Sequence, residues 1–251
     1  MRNWIKSLCV LGLVGCGTLG SQDREKATLY LRMGTSQIES GNYPQALRDL
    51  LNAEKLDPSS PVIQNNLGLV YFYRERNDLA EKHLETAVKQ DPLYSEARNN
   101  LSRIYLEQGK YAAAEKQVQI VIQDLTYPNP EKAYSNLGLI KFNQKEYAVA
   151  RTAFGKALQV KPDDCVSYNY FGRTYFESGN YAQAAESLDR AIGFCQNSLF
   201  DEPHYYSAVA YYRLGDKSKA IARFEELIKY YPSGKYREKA KGMLELIRKG
   251  H

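Results

Sequence analysis

Six alanines recur along this chain at nearly constant spacing, and their period constrains the fold more than any other feature. Ala46, Ala80, Ala114, Ala150, Ala184 and Ala220 are separated by 34, 34, 36, 34 and 36 residues. Twelve residues before each stands a small residue: Gly34, Gly68, Ser102, Gly138, Gly172 and Ala208. A fixed period of this length marks an array of two-helix units, each stacked on the next. The small residue on the first helix and the alanine on the second let the two backbones approach closely. A large side chain at either place would wedge the pair apart in every unit. The expected fold is therefore all-α.

The positions between these anchors follow the same period. An aromatic follows the start of several first helices (Tyr30, Tyr134, Tyr168), and Tyr71, Tyr105, Tyr175 and Tyr211 come three residues after the small one. Turns follow as Gly41-Asn-Tyr, Gly109-Lys-Tyr, Gly179-Asn-Tyr and Gly215-Asp-Lys. Glycine ends a helix cheaply because it tolerates positive φ. Asp57-Pro58, Asp91-Pro92 and Lys161-Pro162 close second helices, since proline cannot continue one. This pattern resembles the tetratricopeptide repeat over residues 27–234, in six units: 27–60, 61–94, 95–130, 131–164, 165–200 and 201–234. The resemblance implies a superhelical solenoid. Residues 235–251 are expected to cap it, with Tyr236, Ala240, Met243, Leu244 and Ile247 on one apolar stripe among lysines and arginines.

The first residues carry a different signal. Arg2 and Lys6 precede an apolar stretch from Leu8 to Gly15 that is too short for a permanent span, so residues 1–15 read as a signal peptide. Leu13-Val14-Gly15-Cys16 resembles a bacterial lipobox. That resemblance implies cleavage before Cys16 and lipidation of its thiol and new amine, with palmitate among the acyl chains. Several chains on one residue anchor stably. Gly17, where an Asp would favour inner-membrane retention, implies the outer membrane. Residues 16–26 then read as the lipidated cysteine and a short polar tether.

Removing Arg2 and Lys6 lowers the formal charge from +5 to +3, spread along the repeats. That balance, without a nucleic-acid motif, gives no reason to expect a nucleic-acid partner. Cys9 leaves with the signal and Cys16 is the lipid site, leaving Cys165 and Cys195 at the two ends of the fifth helix pair. Antiparallel helices bring those ends together in an oxidising compartment, so either a disulfide or two buried thiols fits.

No active site is expected. His83, His204 and His251 lie apart, without metal-ligand spacing to Cys, Asp or Glu. Ser233-Gly234-Lys235 lacks the upstream glycine of a phosphate loop. Neither an enzyme, a cofactor nor a small-molecule substrate is expected. Binding is expected on the concave face, which tetratricopeptide repeats line with the second, fifth, ninth, twelfth and thirteenth positions of each first helix. Those positions give Asn65, Leu69, Phe72 and Tyr73 in repeat two and Asn99 and Arg103 in repeat three. They give Leu139 and Phe142 in repeat four, and Asn169, Arg173 and Phe176 in repeat five. The apolar members are expected on a surface that the repeat core does not need. The Asn–Arg pairs, spaced i, i+4, would meet a peptide backbone and a carboxylate. The cation set of the chaperone-tail clamp is incomplete here.

A lipobox, a short tether, six repeats and no added domain resemble the type IV pilus pilotins. The resemblance implies a protein anchored to the periplasmic face of the outer membrane that binds secretin subunits in its groove. It would promote their localisation and assembly, with twitching or gliding motility as the downstream phenotype. Two alternatives stay open at this point. One is a lipoprotein of outer-membrane β-barrel assembly, whose helix ends the segment Phe224–Tyr236 resembles. The other is a cell-envelope adaptor.

Overall fold

The computed structural model describes residues 20–195 and 200–249, which hold thirteen α-helices. The first three pairs are α1 (Ser21–Glu39) with α2 (Tyr43–Leu56), α3 (Pro61–Tyr73) with α4 (Asn77–Gln90), and α5 (Ser95–Glu107) with α6 (Tyr111–Gln123). The next three are α7 (Pro130–Asn143) with α8 (Tyr147–Val160), α9 (Cys165–Glu177) with α10 (Tyr181–Phe194), and α11 (Glu202–Arg213) with α12 (Lys217–Tyr230). The last helix, α13 (Arg237–Arg248), follows them.

Each second helix buries one stripe at i, i+4, i+7, the signature of an amphipathic helix. The stripe is Ala46, Leu50, Ala53 in α2 and Ala80, Leu84, Ala87 in α4, every one fully buried. It recurs as Ala150, Phe154, Ala157 in α8 and Ala220, Phe224, Leu227 in α12. The large middle residue lies on the small residue of the first helix. A Cβ added at Gly138 would stand 2.6 Å from Cε1 of Phe154, and one at Gly68 2.6 Å from Cγ of Leu84. The glycines are thus required by close approach, and each buried leucine or phenylalanine contributes about 1.5–3 kcal/mol.

Local signals set the helix ends. Ser60 caps α3 by accepting from the Ile63 amide at 3.4 Å, with Pro61 in the first turn. Asp164 caps α9 in the same way, from the Ser167 amide at 2.9 Å. Six turns inside the pairs pass through positive φ, at Gly41, Glu75, Gly109, Lys145, Gly179 and Gly215.

First helices of successive repeats touch one another along the whole array, while second helices make no comparable contacts with each other. The chain therefore curves with the first helices inside, and their free faces form the concave surface. Tyr236, Ala240, Leu244 and Ile247 of the last segment are buried with Ala208, Phe224 and Leu227, covering the final apolar face.

Two expectations need correction. Residues 21–26 are not a tether: α1 begins at Ser21. Its first turns are fully exposed, but Gln, Arg, Glu and Lys are good helix formers and Asp23 sits at the positive end of the helix dipole. The polar composition that suggested a linker serves equally as a solvated helix extension. The cap is also shorter than residues 235–251, with its helix confined to Arg237–Arg248. The signal peptide and Cys16 lie outside the described residues.

The concave face as candidate binding site

The fifth-position asparagines are buried, and two of them, Asn65 and Asn99, accept hydrogen bonds inside the array. Asn65, Asn99 and Asn169 are 2 %, 4 % and 0 % exposed. The side-chain amide of Asn100 donates to Oδ1 of Asn65 at 2.8 Å, and that of Asn136 donates to Oδ1 of Asn99 at 2.9 Å. Asn66 likewise donates to Oγ1 of Thr35 at 3.1 Å. A sixth-position asparagine thus reaches back to the previous repeat's groove residue and forms an amide ladder through the first four repeats. In a buried setting such a bond carries register as well as energy. The expectation that Asn65 and Asn99 face a ligand is therefore corrected. The recurring Asn65-Asn66 and Asn99-Asn100 pairs are visible in the sequence, but the bond spans 35 residues and needs the inter-repeat register to be seen.

The ladder stops at repeat five, where the sixth position is Tyr170, and in repeat six it is Tyr206. From there aromatic edges replace amides. Phe142 meets Tyr170 at 5.2 Å and Phe176 meets Tyr206 at 5.1 Å between centroids, both edge-on. The same two phenylalanines also contact Tyr147 and Tyr181 of their own second helices. Phe142 and Phe176 are consequently half-buried packing residues that the array does need, which corrects their reading as free groove side chains. At the junction of the two interface types, both amide atoms of Asn169 are buried without a hydrogen-bond partner among the described residues.

Arg173 is also buried, at 9 % exposure. Its guanidinium lies 3.6 Å from the Tyr206 ring centroid and 5.1 Å from that of Phe142. It pairs with Glu202 from the next repeat and with Glu177 at 2.9 Å. Burial pushes the Glu202 carboxyl above its ordinary range, against the opposing field of Arg173. Burial also works against the charge of Arg173, but its hydrogen bond to Glu177 and the field of Glu202 hold its pKa above the usual value. Both terminal nitrogens of Arg173 are engaged inside the array, while its buried Nε has no hydrogen-bond partner among the described residues, and the cluster is corrected from ligand site to inter-repeat lock. Glu202 and Tyr206 were not singled out from the sequence; only the superhelix brings them to Arg173.

What remains open is the N-terminal half of the face. Leu69 and Leu139 are half-buried, Phe72 is half-buried and packs against the Ala80, Leu84, Leu101 and Ile104 cluster, and Tyr73 is 42 % exposed while stacking on Tyr43 at 4.9 Å. Arg103 is exposed, with its guanidinium 4.4 Å from the Phe72 centroid. Cys165 and Cys195 are joined in a disulfide across the ends of α9 and α10, with Cα atoms 5.2 Å apart. An open depression of about 650 Å³ lies off this face, between α10 and α11, beside Glu186, Asp189, Arg190 and Tyr211. Among the described residues no group of three or more His, Cys, Asp or Glu is placed to hold a metal ion. No described helix is long and apolar enough to cross a membrane.

Comparison with known proteins places these elements. Over 161 residues the chain is 30 % identical to the type IV pilus assembly protein PilF of Pseudomonas aeruginosa, across 61 % of this chain. That match spans 64 % of the relative, just under two thirds of its length. A TPR repeat-containing protein of Methanocaldococcus jannaschii, MJ1428, is 30 % identical over 103 residues, 40 % of this chain and 17 % of that one. In fold, the chain matches the solved structure of Pseudomonas aeruginosa PilF with a TM-score of 0.75 at 22 % identity, covering 89 % of this chain and all of that one. It matches PilW, described as a widely conserved type IV pilus biogenesis factor, with a TM-score of 0.78 at 19 % identity, over 85 % of this chain and 97 % of that one. Profiles described as tetratricopeptide or TPR repeats match residues 34–73, 65–124, 131–164, 165–199 and 204–234. These matches fall on the helix pairs that the alanine period marks, and the chain belongs to the tetratricopeptide repeat proteins.

Proposed function

We propose that this protein is a lipid-anchored factor of type IV pilus biogenesis that holds a secretin subunit in its concave groove. In this reading the lipid on Cys16 carries the complex to the periplasmic face of the outer membrane, where the subunits assemble into the pore. The observation that carries the reading is the similarity to a type IV pilus assembly protein at 30 % identity over 161 residues. The lipobox resemblance at Leu13–Cys16 supports the location. A groove formed by rigid, mutually locked helices supports capture of a segment, because a preorganised scaffold loses little entropy on binding.

The test is deletion of the gene, followed by measurement of detergent-resistant secretin multimers in outer-membrane fractions beside total porins. Loss of multimers with normal porins is expected, restored by the intact gene and not by Cys16→Ala. Normal multimers would sink the secretin reading, and a broad porin loss would favour β-barrel assembly instead.

A further inference from the structure

The ninth position of the first helix carries an arginine twice, and the two copies end in opposite states. Arg173 rests on Tyr206 and Phe142 and is neutralised by Glu202 and Glu177. Arg103, two repeats earlier, rests on Phe72 in the same manner but is exposed and forms no ion pair among the described residues. The following repeat differs at two facing positions, Lys132 and Asn136 standing where Glu202 and Tyr206 do, while the i, i+4 carboxylate is kept in sequence as Glu107 but forms no ion pair with Arg103 among the described residues. Glu202 is the second residue of repeat six; the second residue of repeat four, which follows Arg103, is Lys132. Lys132 lies 3.7 Å from Glu96 instead of supplying a carboxylate to the arginine. The N-terminal half of the groove therefore keeps the cation and one of its two aromatic rings, without the carboxylate that the next repeat supplies at Arg173.

We propose that a carboxylate side chain of the bound segment takes the place at Arg103 that Glu202 takes at Arg173. The occupant is an extended stretch of the partner protein that carries an aspartate or glutamate between apolar residues. The apolar neighbours would lie on Leu69 and Tyr73 to one side and on Leu106 and Leu139 to the other, all partly or largely open. The groove continues past Arg103 in both directions, which suits an internal side chain. A C-terminal carboxylate would need further donors, and the neighbouring asparagines are buried, with the amide of Asn65 donating to Oδ1 of Asn66 at 3.4 Å. A guanidinium held flat on a ring gives up little freedom when it forms a bidentate pair. This proposal rests on the groove-binding reading above and specifies its ligand.

A positional-scanning library of short peptides, acetylated and amidated at their ends, tests it against the full-length protein in detergent. The intact protein is expected to select Asp or Glu at one position flanked by apolar residues. Arg103→Glu should bind that consensus about tenfold more weakly, as loss of a charge-assisted pair predicts. It should select Lys or Arg at the same position instead. Arg103 is exposed, so the helicity and melting of this variant should match the parent, which separates lost recognition from lost fold. A consensus without an acid, an acid preference unmoved by Arg103→Glu, or no selection at all would overturn the proposal. The parent reading is scored separately in cells. If Arg103→Glu keeps secretin multimers while Tyr73→Glu, at unchanged helicity and melting, removes them, the charge inference fails and the groove stands. If deletion of the whole gene leaves the multimers intact, the secretin reading fails whatever the library shows.

Discussion

At Lys145 the backbone turns through φ of 64°, and at Glu75 through 59°, where four other repeats place glycine. A side chain in the left-handed region costs roughly 1–2 kcal/mol, because Cβ crowds the following carbonyl. Lys145→Gly and Glu75→Gly should therefore each raise stability by about 1 kcal/mol, read as a shift in urea midpoint at constant slope. A loss of stability in either would show that the side chain makes contacts worth more than the strain. The four glycine turns were legible in the sequence because glycine announces them. These two were not, although the period alone points to them: Gly41 plus 34 is Glu75 and Gly109 plus 36 is Lys145.

Between elements, two chemistries join the repeats. An amide ladder runs from Thr35 to Asn136, and aromatic edges take over from Phe142 to Tyr206. Asn99 and Asn169 occupy the same repeat position on either side of the change, so the same substitution should act in opposite directions. Asn99→Leu removes the 2.9 Å acceptor of Asn136, leaves it the longer contacts to the Asn99 carbonyl and Ser102 Oγ at 3.3 Å, and should destabilise by about 1 kcal/mol. Asn169→Leu removes an unpartnered buried amide and should be neutral or stabilising by a comparable amount. Thermal melts of the two variants compare them directly, and a large loss from Asn169→Leu would mean that its amide is satisfied in solution. The sequence reading sent both asparagines to the groove because the family face includes their position. For Asn99 the deciding feature is the sixth-position Asn136 one repeat away, which takes its Oδ1, whereas Asn169 is fully buried with Tyr206 at that position. The Cys165–Cys195 bridge belongs to this scale too. It closes a segment of sequence separation 30. By chain entropy that closure contributes roughly 3–4 kcal/mol to the fifth repeat. Adding reductant should lower its unfolding midpoint in the parent and leave a Cys165→Ser, Cys195→Ser double variant unchanged. Equal behaviour of the two proteins would argue that the bridge is not formed.

On the scale of the whole molecule, the solenoid was the most legible property, since one repeated small-residue pair with a constant period leaves little choice of architecture. The location of the open surface was less so. Half of the residues expected in the groove hold the superhelix together, and the usable face narrows to the N-terminal half around Leu69, Phe72, Tyr73 and Arg103. A binding face on the inner curve makes a directional claim that can be tested in living cells. A photocrosslinking residue at Tyr73 lies on the concave face, whereas one at Lys116, an exposed position of α6, lies on a second helix outside it. Irradiation followed by identification of the attached protein is the measurement that bears most directly on the account. The account predicts a secretin subunit attached through position 73 and none through position 116. Attachment through position 116 alone, or an unrelated protein at position 73, would contradict it.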